Sequence, residues 1–151
     1  MAVFGVAAAL ALAGCGAAPR SDTAEVVLGS GMLGGSSWSV TAYRSVEYGR
    51  CLRLHFSAGD PGAVCEGSAG SLGTSTQDDP AGAGTVVVID ATNEGWTDGV
   101  VSFDDGSTLP VIVGATGFGR FLVFAVPAPR TAEVIDLRNA VSGRTERQHL
   151  R

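Results

Sequence analysis

The run Val86-Val87-Val88-Ile89 decides the fold class of this chain. Four consecutive β-branched residues favour an extended backbone, and an unbroken apolar run is typical of a strand buried on both faces. A second apolar run, Phe121-Leu122-Val123-Phe124-Ala125-Val126, ends at Pro127. The two runs predict the central strands of a β-protein.

Shorter strands are predicted on either side of these runs. Residues 38–43 and 52–56 place an apolar side chain at every second position, as half-buried strands do. Two further strands are predicted over residues 132–137 and 145–150, with a turn at Ser142-Gly143 between them. With the central runs, this spacing predicts an antiparallel β-sandwich of about six to eight strands, without helical crossovers.

A tight hairpin is predicted where Asp105-Gly106 separates two apolar stretches, because glycine accepts the positive φ that such a turn needs. Pro110 lies in the returning strand. Since proline cannot donate to a hydrogen-bond ladder, this strand is expected either to lie at the edge of its sheet or to start with a bulge.

Two glycine-rich segments are interpreted as connections. Residues 67–84 are rich in Gly, Ser, Thr and Asp, and are expected to form a long mobile loop. Residues 29–34 satisfy the G-x-G-x-x-G pattern of dinucleotide sites, but a strand rather than a helix follows them. They are therefore expected to form a turn, and no cofactor is predicted.

The N-terminus carries a different signal. Residues 2–14 are uncharged and apolar, and as a helix they would span about 20 Å, less than the roughly 30 Å of a bilayer core. Such a run is typical of a secretory signal. It ends in Leu12-Ala13-Gly14-Cys15, which resembles the lipobox of bacterial lipoproteins.

The lipobox resemblance implies cleavage before Cys15 and attachment of a diacylglyceryl group to its thiol. It divides the chain into a signal peptide (1–14), a lipidated cysteine with a flexible tether (15–24) and a β-sandwich domain (25–151). The expected location is the extracytoplasmic face of the cell membrane, with the lipid as anchor.

The mature domain also resembles a group of small secreted actinobacterial proteins of unknown function. The resemblance rests on landmarks that are structural, so it implies no activity. These landmarks are Trp38, Cys51-Leu52-Arg53-Leu54, Cys65, Asp105-Gly106, Gly119-Arg120-Phe121 and Ser142-Gly143.

A disulfide between Cys51 and Cys65 is expected in the mature protein. Lipidation uses Cys15 and leaves one pair of cysteines, in a compartment where thiols oxidise. The bond is expected to pin the loop through residues 57–62 to the end of one strand. The alternative, a reactive thiol, would need an electropositive and partly exposed setting.

Charge and residue types exclude several classes of site. The net charge of −5 argues against nonspecific nucleic-acid binding. His55 and His149 are the only histidines and no G-x-S-x-G motif occurs, so no serine hydrolase site is predicted. Two scattered histidines and a cysteine pair cannot supply a zinc site, and the acidic residues lack the spacing of a calcium loop. No metal site is predicted.

The possible binding surface is Trp96 with Asp98, in a polar segment that favours exposure of the indole; the alternative is a lid over one end of the sandwich. The preferred function is a non-enzymatic binding or scaffolding module of the cell envelope, with an envelope protein or cell-wall component as partner. Two alternatives are a hydrolase using carboxylates of the acidic middle region, residues 54–119, and an inhibitor that presents a disulfide-closed loop.

Overall fold

The computed structural model describes residues 23–150, and within that range the regular structure is almost entirely β. The strands are β1 (Val26–Leu33), β2 (Ser36–Ser45), β3 (Gly49–Phe56), β4 (Gly59–Cys65), β5 (Thr74–Asp78), β6 (Gly84–Asp90), β7 (Asp98–Phe103), β8 (Thr108–Ile112), β9 (Gly114–Thr116), β10 (Gly119–Pro127), β11 (Ala132–Arg138) and β12 (Thr145–His149). One 3-10 turn covers Gly67–Ala69. The all-β class is confirmed, with more strands than the six to eight expected.

The N-terminal predictions fall outside this range. The signal peptide, Cys15 and most of the tether lie in residues 1–22, outside the described residues. Between residues 23 and 150, no helix has the length and hydrophobicity needed to cross a membrane.

Three antiparallel sheets of four strands each make up the fold. The first sheet has the order β1-β2-β3-β4, the middle sheet β5-β6-β10-β9, and the third sheet β12-β11-β7-β8. Strands that are neighbours in sequence pair in the first sheet, as in a simple meander. β6 and β10 pair across a long separation in the chain.

The middle sheet is buried on both faces, which explains the unbroken apolar runs. Its alternate residues belong to two hydrophobic clusters, one shared with the first sheet and one with the third. The first cluster contains Val86, Val88 and Phe121 with Trp38, Val40 and Leu54. The second contains Val87, Ile89, Leu122 and Phe124 with Val101, Ile135 and Leu137. The sandwich therefore has three layers rather than two.

The segment Gly29–Gly34 is not a turn, and that prediction is wrong. β1 runs through it to Leu33, and the chain turns only at Gly34-Gly35. A Cβ at Gly29 would lie 3.0 Å from Val123 Cγ1, and one at Gly31 would lie 3.1 Å from Trp38 Nε1. These glycines thus allow β1 to pack closely against the indole and the middle sheet.

The prediction of a long loop over residues 67–84 is also wrong, because this segment contains β5. This strand pairs with β6 from Thr74 to Asp78. Its composition is polar because it forms the edge of the middle sheet and is largely exposed. The connection back to β6 is a turn in which the Asp79 carboxylate accepts hydrogen bonds from the amides of Ala81 and Ala83.

The hairpin at Asp105-Gly106 is confirmed, with a φ of 79° at Gly106. Pro110 lies in β8, an edge strand of the third sheet, as predicted. The disulfide between Cys51 and Cys65 is confirmed as well. It joins directly opposed residues of the paired strands β3 and β4, rather than pinning a loop to one strand end. Residues 57–62 include the hairpin turn between these strands.

Candidate functional site

Trp96 is buried, so its expected exposure is wrong. Only 1% of its surface is accessible, and it belongs to the cluster between the middle and third sheets. Its carbonyl accepts a hydrogen bond from Arg120 at 2.6 Å, and the Arg144 guanidinium lies 4.7 Å from the ring centroid. The polar neighbours Thr97 and Asp98 bond to Arg138 of β11. The indole of Trp96 closes the end of the core.

Asp98 lies at the start of β7 and is engaged locally. Its carboxylate pairs with Arg138 at 2.8 Å and accepts a hydrogen bond from the Thr97 hydroxyl at 2.8 Å. The hydrogen bond from Arg138, then that from Thr97, holds the pKa of Asp98 below its ordinary value. Because the Trp96 indole points into the core, the two residues do not form a common binding surface.

The acidic middle region brings two carboxylates, those of Asp78 and Asp79, to one cavity of 290 Å³, which Arg130 also lines. Each of its nine carboxylates has a neighbouring cation, hydroxyl or amide as a partner. These residues are Asp60 (with His55), Glu66 and Asp90 (with Arg50), Asp78 (Thr85), Asp79 (Ala81), Glu94 (Arg144), Asp98 (Arg138), Asp104 (Thr131) and Asp105 (Arg130). Within residues 23–150, no group of three or more His, Cys, Asp or Glu side chains could hold a metal ion.

A cluster of buried charges surrounds Arg50. Its guanidinium donates to Glu66 and Asp90, both at 2.9 Å, to the Thr92 hydroxyl at 3.0 Å and to the Phe118 carbonyl at 3.1 Å. Burial disfavours the charge on Asp90, but hydrogen bonds from Thr92, Leu72 and Arg50 outweigh it and lower its pKa. The cluster connects the first sheet to the middle sheet.

One concavity of the described residues lies at an edge of the stack, along β10. β9 pairs with β10 only from Gly119 to Phe121, and β6 occupies the opposite edge of β10. The amides of Ala91 and Ala128 donate to the carbonyls of Arg120 and Ala83, so even-numbered residues of β10 direct their backbone groups to β6. The odd-numbered residues of β10 direct their backbone N–H and C=O groups to the other edge of this strand.

Val123 and Ala125 therefore direct their N–H and C=O groups to an edge that, among residues 23–150, no strand pairs beyond Phe121. A groove of 460 Å³ runs along this edge between β1 and β8. We call it the edge groove. It is lined by Gly29, Ser30 and Trp38 from the first sheet, by Leu109, Pro110, Val111 and Ile112 from β8, and by Val123, Phe124 and Ala125.

The edge groove has a distinct chemistry. None of its lining residues is ionisable, and the polar side-chain groups of its lining are the Ser30 hydroxyl and the Trp38 indole N–H. Its volume falls within the range of about 300–1,000 Å³ found for ligand sites. It can bind through backbone hydrogen bonds and apolar contact, and none of these side chains is a general acid or base that could activate the Ser30 hydroxyl.

Comparison with protein families, with curated proteins and with solved structures finds no match to this chain. Sequence reasoning missed the edge groove, although two signals pointed to its walls. These were the paired glycines Gly29 and Gly31, and Pro110 as an edge-strand marker.

Proposed function

We propose that this protein is a lipid-anchored, extracytoplasmic and non-enzymatic binding module, which holds an extended, uncharged polypeptide segment of an envelope component in the edge groove. Two features support the location: the lipobox-like Leu12-Ala13-Gly14-Cys15, and the disulfide between Cys51 and Cys65, which is typical of oxidising compartments. The sequence predicts the same class of function, a binding or scaffolding module, but at a different site.

The observation that carries the proposal is the edge of β10. Unpaired N–H and C=O groups on a strand edge are a template for another strand, and peptides bind many domains by such strand addition. Val123 and Ala125 each present an N–H and a C=O along this edge, so donors and acceptors alternate. An extended peptide backbone carries the complementary alternation. Because the lining carries no ionisable side chain, charge complementarity favours a neutral segment over a charged one.

The two rival functions lack a comparable observation. The carboxylates that a hydrolase would use are engaged with cations, hydroxyls and amides, and none of them lines the edge groove. The segment closed by the disulfide is a paired hairpin, in which only Ser57 and Ala58 lie between the strands. It does not form a protruding inhibitory loop.

A display experiment tests the proposal. The probe is a phage-displayed library of random octapeptides, selected on the soluble Cys15→Ala form and depleted on a Val123→Arg variant. Arginine at this position places a charge and a long side chain in the groove. Selected peptides are expected to be uncharged and rich in β-branched residues. No enrichment over the Val123→Arg variant would contradict peptide binding in the groove.

Two variants of one residue then test strand pairing. Ala125→Pro removes an N–H that faces the groove, without removing any donor of the ladder to β6, while Ala125→Val adds similar bulk and keeps the N–H. The proline should raise the peptide Kd about tenfold, since an unmade hydrogen bond costs about 1–3 kcal/mol. Equal effects of proline and valine would show that the peptide binds without pairing to β10.

A further inference from the structure

The chain enters the fold beside an exposed turn. The hydroxyl of Thr23 accepts a hydrogen bond from the amide of Arg44 at 3.0 Å. Arg44 is next to the end of β2, and Val46 lies in the turn that joins β2 to β3. The point of entry and Val46 are thus at the same end of the three-layer stack.

The turn between β11 and β12 lies at this end too, as a series of hydrogen bonds across the layers shows. Arg50, at the start of β3, donates to Thr92, which also accepts from the amide of Arg120. Arg120 donates to the carbonyl of Trp96, and the neighbouring Thr97 hydroxyl accepts from the amide of Ala140. Val141 follows at the apex of the β11–β12 turn.

Both turns present an aliphatic side chain to the outside. Val46 is 88% exposed and Val141 is 93% exposed. The Val141 turn is held by Asn139, whose side-chain oxygen accepts hydrogen bonds from the amides of Val141 and Ser142, both at 3.0 Å. Turn positions usually carry Gly, Asn, Asp or Ser, so two exposed valines at one end are unusual. Tyr48, which is 41% exposed, adds an amphipathic ring to the turn that contains Val46.

Charges around the Val141 turn pair with one another, and Glu47, which follows Val46, accepts a hydrogen bond from the Tyr48 hydroxyl. Arg138 pairs with Asp98, and Arg144 pairs with Glu94 and Glu146. Because residues 23–150 bring charges of both signs to this end, its contact with a bilayer would depend on apolar side chains rather than on anionic lipid.

We infer that this end of the stack is a membrane-facing surface, which rests on phospholipid with Val46 and Val141 as its two contact points. The inference rests on the lipid anchor proposed above. Cys15 lies eight residues before Thr23, so an extended connection reaches at most about 28 Å. That length holds the exposed end near the headgroups, where apolar side chains and a tyrosine ring are stabilised.

Quenching by brominated lipid tests this surface. The lipidated protein is purified from membranes and placed in phosphatidylcholine vesicles, with and without 6,7-dibromo lipid. Val46→Trp and Val141→Trp each introduce a reporter, and the emission of the unsubstituted protein is subtracted. Met32→Trp is the matched control, because Met32 is 63% exposed near the other end of the first sheet. β2 separates the two ends by about 30 Å.

Bromine should quench both turn reporters about twofold more than the control, because their contact points lie at the headgroup boundary. Adding Val141→Asp to the Val46→Trp variant should reduce quenching at residue 46, whereas adding Met32→Asp should not. Equal quenching of all three reporters would overturn the inference, and so would quenching at residue 46 alone, which reports the tether and not a two-point contact.

The anchor is checked in the same preparation. A protein that does not float with the vesicles lacks the anchor, and the membrane-facing surface is then rejected with it. Peptide binding in the edge groove is measured on the soluble Cys15→Ala form, so its failure is observed separately.

Discussion

Replacing Arg50 with methionine should strongly destabilise the protein, because it removes the cation from a buried cluster. Methionine keeps an apolar stem of similar length but donates no hydrogen bonds. The side chains of Asp90 and Glu66 are only 2% and 13% exposed. Both carboxylates would stay buried without their counter-charge.

The expected loss in the free energy of unfolding is about 3–5 kcal/mol, the usual cost of breaking a buried ion pair by removing one partner. Four hydrogen bonds from the Arg50 side chain disappear together, to Glu66, Asp90, Thr92 and Phe118. For a domain of this size the loss corresponds to a fall in Tm of about 10–20 °C. Asp90 keeps its bonds from Thr92 and Leu72, which limits the loss.

Urea denaturation followed by circular dichroism measures this change, with Arg138→Met as the matched control. Arg138 also pairs with an aspartate, but its side chain is 60% exposed, so its loss should leave stability nearly unchanged. Adding Asp90→Asn to the Arg50→Met variant should restore part of the stability, because it removes one of the stranded charges. Equal small effects of Arg50→Met and Arg138→Met would refute the role assigned to the buried cluster.

Four further predictions concern the anchor, a turn, the disulfide and pH. Cys15→Ala should move the protein from the membrane fraction to the soluble fraction; unchanged partition on immunoblots would disprove the lipobox interpretation. Gly106→Val should lower the free energy of unfolding by about 1–2 kcal/mol, because the backbone φ at this position is positive. A Cβ there would meet no other atom within 4 Å, so the cost comes from the backbone, and an unchanged Tm would contradict it. Replacing Cys51 and Cys65 with alanine should cost about 3 kcal/mol, the entropy of a loop of about 15 residues. Two alkylatable thiols in the denatured, unreduced Cys15→Ala protein would show by mass spectrometry that the bond does not form. Because the pKa of Asp90 is lowered in the folded protein, the ionised carboxylate stabilises the fold above about pH 4. This stabilisation is lost as the pH falls through the folded pKa. The stability difference between the wild type and Asp90→Asn should therefore narrow in acid, and a pH-independent difference in denaturation experiments would contradict this.

Much of the fold could be predicted from local patterns. The run at Val86–Ile89 and the alternation over residues 38–43 predicted strands, and the structure has strands there. Asp105-Gly106 predicted a hairpin that exists, since the φ preference of glycine is a property of the residue itself. These predictions succeeded because backbone conformation and apolar spacing act over a few neighbouring residues.

The failures share a physical cause. The pattern at Gly29 and Gly31 predicts a turn, but their lack of a side chain serves the packing of Trp38 on the neighbouring strand and of Val123, which is far away in the sequence. Residues 74–78 were interpreted as loop because they are polar, yet they form an edge strand that β6 supports. Trp96 has polar neighbours and is nevertheless buried.

The sequence by itself determined the β class, the two central strands, the turn at Gly106 and the pairing of Cys51 with Cys65. Each of these follows from local propensity or from the small number of possible pairings. Only the tertiary structure decided the three-layer stack and the edge groove. Whether a backbone group has a partner depends on which strands lie beside it, and the pairing with β9 stops at Phe121 while β10 continues. Register across distant strands is set by the packing of whole sheets, and no stretch of neighbouring residues contains that information.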